Sequence, residues 1–295
     1  MKVLIDTDPG IDDAIALLFA LAHPKLEVAG ITTVAGNIGI ETTTRNALRI
    51  LALAGADVPV HAGTERPLAR GGVDEIRVHG QDGLGGVRFP DPAASPAGSD
   101  AVGFLRDTLM AVPDGTVDIL ALGPLTNIAR LVTDAPEAAR RVRQLIAMGG
   151  AVHERGNVGA RSEFNIAHDP EAAEIVFSAG LPFTLIPLDV TRKVRADRAY
   201  LDRLAALGTP AAFAVRDLIA AYFDATTGGE SRPLHDPCVP ILALHPELFT
   251  TGRMALSVDC SAGEFAGALG PGRHMLDVAM KVEAEKALDL LASVL

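Results

Sequence analysis

Four carboxylates lie close together near the start of the chain. They directly follow a short apolar run, and they are Asp6, Asp8, Asp12 and Asp13. Like charges at one turn raise one another's pKa values unless a cation lies among them. Carboxylate oxygens are the ligands that Ca²⁺ and Mg²⁺ prefer, so the cluster predicts a divalent cation site. A charged helix cap is the alternative, because acidic residues stabilise a helix N-terminus by about 0.3–1 kcal/mol, but a cap accounts for only some of the four.

Two later motifs carry further groups that suit such a site. The motif HDPC places His235 beside Asp236 at the predicted start of a helix, where the aspartate could instead act as an N-cap. A polar segment further upstream contains Asn157, Glu163 and Asn165. Loops are generally rich in asparagine, so composition alone leaves an ordinary loop as the alternative for this segment.

Strands and helices that alternate along the chain must position these groups. Apolar runs predict strands at residues 3–5, 28–34, 58–63, 117–123, 142–150, 182–190 and 274–282. Amphipathic stretches predict helices at residues 12–23, 42–55, 99–113 with Ser99 as N-cap, 124–136 with Pro124 in the first turn, 169–180, 197–207, 210–225, from about 236, and 283–295. This alternation predicts an α/β fold, with an open, mostly parallel central sheet, a Rossmann-like core and helices on both faces.

The predicted sheet also indicates where the active site lies. Parallel sheets bind ligands at the carboxyl ends of their strands, and the motifs DTDPG, TVAGN, LGPLTN and MGGAVHERGN all follow predicted strands at that end. Residues 63–98 are rich in glycine and proline, which predicts a long loop over the site. Since no repeat or linker divides the chain, we expect a single domain over residues 1–295.

Composition narrows the class of protein further. The net charge of −11 disfavours binding to nucleic acids and anionic membranes, which attract basic surfaces. The chain begins directly with a predicted strand and has no apolar run of about 18 residues. It has two cysteines, Cys238 and Cys260, outside any metal-binding spacing. We therefore expect a cytoplasmic protein, with Cys238 as a small packing residue rather than a nucleophile.

Together these motifs resemble those of one family, the nucleoside hydrolases, which includes inosine–uridine-preferring and pyrimidine-specific ribonucleoside hydrolases. The resemblance rests on motifs in the family order over about residues 1–245: DTDPGIDDAIAL (6–17), ITTVAGN (31–37), HGQDGLGG (79–86), LGPLTNIA (122–129), MGG (148–150), GN (156–157), SEFNIAHDPEAA (162–173) and HDPC (235–238). It implies hydrolysis of the N-glycosidic bond of a ribonucleoside to ribose and free base. It also implies a homodimer or homotetramer. The expected binding partner is the small-molecule nucleoside substrate.

The resemblance assigns a metal and a base to the aspartate cluster. It implies one Ca²⁺ ion bound by Asp8, Asp13, Asp236 and the main-chain carbonyl of Leu122. Asp8 also matches the general base that takes a proton from a Ca²⁺-activated water. Asp6 matches a motif position without a direct role, and we expect it to support the cluster.

The other matched positions surround the substrate. Asp12 and Asn165 match residues that hold the ribose 2′-hydroxyl, and Asn37 matches one near the 3′-hydroxyl. The remaining matches are Asn157 and Glu163 at the 5′-hydroxyl, Met148 and Phe164 at the pocket wall, and His79 and His235 near the leaving base.

Base preference stays open at this stage. Tyr222 or Phe223 could cover the base or could form one face of an amphipathic helix, and purine and pyrimidine substrates remain equal alternatives. The loop from Met148 to Asn157 is one residue longer than the family pattern, which leaves the position of His153 open.

Two other functions compete with this reading. A DxD motif after the first strand also occurs in phosphohydrolases of the haloacid-dehalogenase type, but Gly10 stands where that class has a threonine or valine. A non-catalytic nucleoside or ribose binder would keep the metal site for stability, but the intact set of Asp8, Asn165 and Asp236 argues against it.

Overall fold

The computed structural model describes residues 1–159, 161–225 and 230–295. Their strands are β1 (Lys2–Thr7), β2 (Glu27–Thr33), β3 (Val60–Ala62), β4 (Val117–Ala121), β5 (Gln144–Met148), β6 (Phe183–Ile186), β7 (Arg195–Asp197), β8 (Ser231–Pro233), β9 (Phe249–Val258), β10 (Leu269–Pro271) and β11 (His274–Val282). Their helices are α1 (Ile11–Ala22), α2 (Ile40–Ala54), α3 (Ile76–His79), α4 (Ala101–Ala111), α5 (Thr126–Asp134), α6 (Pro136–Ala139), α7 (Phe164–His168), α8 (Pro170–Ser178), α9 (Leu188–Thr191), α10 (Arg198–Leu207), α11 (Pro210–Ala225), α12 (Cys238–Leu244) and α13 (Ala284–Ser293), with a 3₁₀ turn at Pro246–Leu248.

One large sheet organises the described residues. Its strand order is β10-β9-β11-β6-β5-β4-β1-β2-β3. The strands from β3 to β6 and the β6–β11 pair are parallel, whereas β9 pairs antiparallel with both β10 and β11. The order 3-2-1-4-5-6 within it is that of a doubly wound fold, in which the strand order reverses between the parallel strands β1 and β4. The predicted open, mostly parallel α/β sheet is therefore confirmed, and its topological switch point lies where β1 ends.

Helices cover both faces of this sheet because its central strands are apolar on both sides. Along β1, Val3 and Ile5 belong to the hydrophobic cluster on one face, and Leu4 belongs to the cluster on the other. Successive side chains of a strand point to opposite faces, so a continuous apolar run is what a doubly covered strand requires. Helices packed on both faces thus hold the central strands in place. The loops that follow these strands lie together at the carboxyl edge of the sheet.

Several predicted boundaries differ from the structure. Helix α4 is capped by Asp100 rather than Ser99, because the Asp100 carboxylate accepts the Gly103 N–H at 2.8 Å. Pro124 precedes α5 instead of lying in its first turn. The predicted strand 182–190 ends at Ile186, and α9 follows, since Pro187 has no N–H for the sheet.

The sequence also left some elements unassigned. Strands β7 to β10 were not predicted, because these segments are short or mix exposed polar residues with apolar ones. The predicted loop 63–98 contains the one-turn helix α3. Within the described residues, none of the helices is long and apolar enough to span a membrane.

Candidate active site

The carboxylate of Asp8 is enclosed by two glycines at the switch point of the sheet. Asp8 follows β1, while Gly36 and Gly123 follow β2 and β4. A Cβ atom added at Gly36 would lie 2.1 Å from Asp8 Oδ2, and one added at Gly123 would lie 2.3 Å from Oδ1. Both positions therefore require glycine for the close approach, and the carboxylate has a single place to lie.

Asp13 closes the turn that carries Asp8. Its Oδ1 accepts hydrogen bonds from the Thr7 hydroxyl at 2.6 Å and the Asp8 N–H at 3.2 Å, and its Oδ2 accepts the Gly10 N–H at 3.1 Å. Asn37 joins the two aspartates, because its amide group donates to Asp13 Oδ2 at 3.0 Å and its main-chain N–H donates to Asp8 Oδ2 at 2.7 Å. The DTDPG turn and the TVAGN loop thus form one hydrogen-bonded unit.

Asp12 joins the first turn to the distant HDPC motif. Its Oδ2 accepts the main-chain N–H of His235 at 2.6 Å and that of Asp236 at 3.4 Å. Its Oδ1 is buried and has no hydrogen-bond partner among the described residues. A buried acceptor without a partner is costly in an interior, so this oxygen is a candidate contact for a ligand.

Burial makes the charges of this cluster expensive. Desolvation, followed by the charge of Asp13, raises the pKa of both Asp8 and Asp236 well above the ordinary value. Desolvation is also the main cause that raises the pKa of Asp12 to about 7. The carboxyls of Asp8 and Asp236 both lie within hydrogen-bonding reach of Asp13. Such a set is stable as carboxylates only beside a compensating positive charge.

The carboxylates of this cluster and the Leu122 carbonyl have the chemistry of ligands for a hard divalent cation, but their oxygens do not all point at one position. Among the described residues, no group of three or more His, Cys, Asp or Glu side chains has the geometry of a metal site. Asp13 directs its oxygens at N–H and hydroxyl groups, and the Leu122 carbonyl accepts the Asn165 amide at 2.7 Å. The chemistry of the donors nevertheless suits such a cation, because Ca²⁺ and Mg²⁺ prefer carboxylate and carbonyl oxygens, which lie together around this buried turn.

Asp6 lies behind the cluster rather than in the pocket. Its Oδ1 accepts the Thr32 hydroxyl at 2.5 Å and the Asn127 amide at 2.8 Å. Desolvation raises its pKa to about 7, against the effect of these two hydrogen bonds. The side chain connects β1 to β2 and α5, which agrees with the supporting position expected from the sequence.

The opposite wall of the pocket is built around the first turn of α7. Glu163 caps this helix, and its carboxylate accepts the N–H groups of Asn165 at 3.0 Å and Gly150 at 2.8 Å. The Asn165 amide reaches the carbonyls of Leu122 at 2.7 Å and Met148 at 3.2 Å. These bonds hold Glu163 and Asn165 at the carboxyl ends of β4 and β5.

Two histidines lie at the other end of the pocket, and each has its Nδ1 engaged. His79 Nδ1 accepts the Ile11 N–H at 2.9 Å, and burial lowers the pKa of this ring to about 4. His235 Nδ1 lies 2.7 Å from the Thr191 hydroxyl. Burial, followed by the nearby Arg192 and Arg195, lowers the pKa of His235 to about 3. Both rings are therefore neutral at physiological pH.

A cavity of about 200 Å³ connects these groups. Its lining contains Asp8, Asp12, Asn37, Glu75, Arg77, Val78, His79, Leu122, Met148, Asn157, Glu163, Phe164, Asn165, Tyr222, His235 and Asp236. All of the site residues predicted from the sequence line it except Asp13, which is fully buried. A larger depression of about 880 Å³ beside α2 is a weaker candidate, because its charged residues Glu41, Arg45 and Glu65 are exposed.

Some lining residues carried no clear signal in the sequence. Glu75, Arg77 and Val78 reach the cavity from the start of the one-turn helix α3 and were not predicted. Tyr222 lines the cavity, whereas Phe223 is buried, with the Arg198 guanidinium 5.1 Å from its ring centroid. Phe223 is thus a packing residue. Residue 160, between Asn157 and Glu163, and residues 226–229, between Tyr222 and His235, lie outside the described residues.

The long loop over the site is attached to the α7–α8 region. Asp169 accepts the Leu68 N–H at 2.9 Å, and Arg70 forms an ion pair with Glu171. His168 Nδ1 lies 2.6 Å from the Val73 carbonyl. The segment 63–98 is therefore bonded to the α7–α8 region, and its residues Glu75, Arg77, Val78 and His79 line the cavity.

The fold and the site define an α/β enzyme with a carboxylate-rich pocket at the switch point of its sheet. The sequence profile of the inosine-uridine preferring nucleoside hydrolases matches residues 3–289. The chain belongs to this family, which is metal-dependent, and is an N-ribosyl hydrolase that acts on nucleosides.

Individual relatives agree with this assignment. The pyrimidine-specific ribonucleoside hydrolase RihA of Citrobacter koseri is 43% identical over 256 residues, which cover 85% of this chain and 81% of the relative. The structure of a plant nucleoside hydrolase, PpNRh1, has a TM-score of 0.91 at 34% identity and covers 99% of this chain and 98% of that one. A purine-preferring ribonucleoside hydrolase from Gardnerella vaginalis has a TM-score of 0.93 at 31% identity and covers 99% of this chain and 97% of that one.

Proposed function

We propose that this pocket hydrolyses ribonucleosides to ribose and free base, with Asp8 as the general base. Ca²⁺ is the proposed cation, and Asp8, Asp13, Asp236 and the Leu122 carbonyl are its proposed ligands. The observation that carries the proposal is the Asp8 carboxylate, buried between Gly36 and Gly123 and beside the carboxyl of Asp13. A bound Ca²⁺ would supply a positive charge that acidifies a water molecule and orients the ribose hydroxyls.

The proposed ribose contacts follow from the groups that line the cavity. Asp12 Oδ1, which has no partner among the described residues, is suited to accept a hydrogen bond from the 2′-hydroxyl, and the Asn165 amide lies on the opposite wall. Asn37 is assigned to the 3′-hydroxyl. Asn157 and Glu163 are assigned to the 5′-hydroxyl, and Met148 and Phe164 to the wall beside the sugar.

Bond cleavage places opposite charges on the two halves of the substrate. Positive charge develops on the sugar, as in glycoside hydrolysis, and the buried carboxylates stabilise it electrostatically. Asp8 accepts the proton of the attacking water. The base departs with the bonding electron pair, and a hydrogen bond from His235 or His79 stabilises it as it leaves.

A substrate panel with and without a chelator tests this proposal. We expect metal-replete protein to release reducing sugar from inosine or uridine, chelation to abolish the release, and Ca²⁺ to restore it more fully than Mg²⁺. Rates on 2′-deoxynucleosides should fall by at least about tenfold if Asp12 and Asn165 hold the 2′-hydroxyl. Binding of a nucleoside without turnover would instead identify a non-catalytic binder, and undiminished turnover after chelation would refute the role of the metal.

The panel also decides base preference. The relatives include a pyrimidine-specific and a purine-preferring enzyme, so we propose ribonucleosides as the substrate class without restricting the base. We further propose that residues 1–295 form a single domain in a cytoplasmic homodimer or homotetramer. Light scattering of the purified protein measures the oligomeric state.

A further inference from the structure

In both histidines at the base end of the pocket, Nδ1 forms a hydrogen bond with a group of the protein. His79 Nδ1 accepts a hydrogen bond from the main-chain N–H of Ile11 at 2.9 Å. A main-chain N–H can only donate, so the proton of neutral His79 must reside on Nε2. The main-chain N–H of Ile11 therefore determines that neutral His79 is the Nε2-protonated tautomer.

The corresponding contact of His235 is made by a side chain. Its Nδ1 lies 2.7 Å from Thr191 Oγ1. A hydroxyl can donate or accept, so this distance by itself allows either tautomer. Thr191 is fully buried, and His235 Nδ1 is the partner that its hydroxyl has among the described residues. If Nδ1 carried the proton, the buried Thr191 hydroxyl would be left without an acceptor, which is the costlier arrangement.

We propose that Thr191 is a positioning residue whose hydroxyl donates to His235 Nδ1 and so keeps the proton on Nε2, facing the leaving base. The proposal rests on the proposed function, in which His235 contacts the departing base. Thr191 itself does not line the cavity; it acts through the ring of His235.

The backbone around Thr191 is held firmly enough for such a role. Thr191 ends α9, and the neighbouring Asp189 carboxylate accepts the N–H groups of Val152 at 2.8 Å and His153 at 2.7 Å. On the other side, Arg192 donates to the carbonyls of residues 155 and 156. These hydrogen bonds attach helix α9 to the loop that leads to Asn157. They hold the Thr191 hydroxyl in place beside the His235 imidazole.

The hydrogen bond matters at one step of the reaction. When the bond between C1′ and the base nitrogen breaks, its electron pair moves onto the base, and Nε2–H stabilises the negative charge by donating a hydrogen bond. The oxygen of the attacking water bonds to C1′ and keeps one hydrogen as the new hydroxyl, while the other proton goes to Asp8. The released base then takes a proton from solvent, and the Asp8 proton returns to solvent, so that charge and atoms balance.

This role predicts a loss that depends on the leaving group. Thr191→Val removes the donor at almost constant volume. We expect kcat on inosine or uridine to fall about ten- to a hundredfold, with KM changed less than threefold. This loss lies at or below the lower end of the roughly 10²–10⁴-fold that general acid–base catalysis contributes, because the His235 imidazole itself remains. The loss on p-nitrophenyl β-D-ribofuranoside should be under about threefold, because nitrophenolate is a weak base that leaves without assistance. Thr191→Ser should restore nucleoside turnover, since it keeps the hydroxyl.

Thr44→Val is the matched control. The hydroxyl of Thr44 is also buried and lies 2.7 Å from that of Thr33, away from the pocket. It should lose as much thermal stability as Thr191→Val and keep wild-type turnover of both substrates. Thr191→Ala repeats the test without a new methyl group, should valine prevent folding.

Three results would overturn the inference. Thr191→Val and Thr191→Ala could both match Thr44→Val on nucleosides, they could lose equal activity on both substrates, or Thr191→Ser could be as impaired as valine. The second of these is the pattern of a purely structural residue. Wild-type protein that hydrolyses neither substrate would refute the proposed function itself and this inference with it, whereas an active wild type that is indifferent to Thr191 refutes only the inference.

Discussion

Alanine at position 36 would place a methyl group against the carboxylate of Asp8. The added Cβ would lie 2.1 Å from Oδ2 and 2.9 Å from Cγ, and Pro124 Cδ blocks its other side at 2.9 Å. Real Cβ atoms essentially never come within 3.0 Å of another heavy atom. The carboxylate must therefore retreat by about 1 Å, and Gly123 on its far side leaves it little room to do so.

The magnitude follows from that displacement. A shift of about 1 Å in a reacting group costs about a hundredfold in rate, and overpacking costs about 1–3 kcal/mol of stability. The movement also strains the hydrogen bond from the Asn37 N–H to Asp8 Oδ2, which is 2.7 Å long. We expect Gly36→Ala to lower kcat about a hundredfold or more and to lower the melting temperature by several degrees.

Gly39→Ala is the matched control for this prediction. Gly39 lies three residues away at the start of α2, has an ordinary φ of −65°, and would place its Cβ within 4 Å of nothing. Steady-state hydrolysis of inosine and uridine and thermal melting are measured for both variants. If Gly36→Ala keeps kcat within threefold of Gly39→Ala, the steric argument for Asp8 is wrong.

Three further outcomes follow from the same geometry. Chelation should lower the melting temperature by about 5 °C or more, since a cation at a hundred times its Kd adds about 2.7 kcal/mol; a melting curve that EDTA leaves unchanged would contradict the metal site. Asp12→Ala should reduce turnover of ribonucleosides much more than that of 2′-deoxynucleosides, and equal losses would contradict a 2′-hydroxyl contact. Asp169→Ala should lower the free energy of unfolding by about 3 kcal/mol in urea titrations, because it removes the cap of α8 and the bond to Leu68 at 2.9 Å; a loss below about 1 kcal/mol would show that the loop holds without it.

Local sequence patterns predicted the elements that carry the site. The run 3–5 followed by DTDPGIDDA predicted β1, the turn and α1, because strand and helix periodicity and a glycine turn are local properties. The family resemblance identified the site residues that lie far along the chain from this turn, such as Asn165 and Asp236. The ends of elements were less well predicted, as at Asp100 and Pro187, where a side-chain cap or a missing N–H decided the boundary.

Adjacent residues on one helix show the limit of pattern reasoning. Tyr222 and Phe223 were equal candidates from the sequence, and only packing separates them. Tyr222 lines the cavity, while Phe223 lies under the guanidinium of Arg232, 4.9 Å from its ring centroid. Glu75 and Arg77, at the start of α3, were missed for the same reason, since nothing in their types indicates how the long segment 63–98 folds.

The sequence by itself determined the α/β class, the aspartate-rich turn after β1 and the chemistry that buried carboxylates can support. Only the tertiary structure brought Asp12 to within 2.6 Å of the His235 main-chain nitrogen, across 223 positions of the chain, and placed Thr191 2.7 Å from His235 Nδ1. The physical reason is that periodicity and turn chemistry act over a few residues. The close approach of distant segments depends on strand order and on packing around the whole sheet.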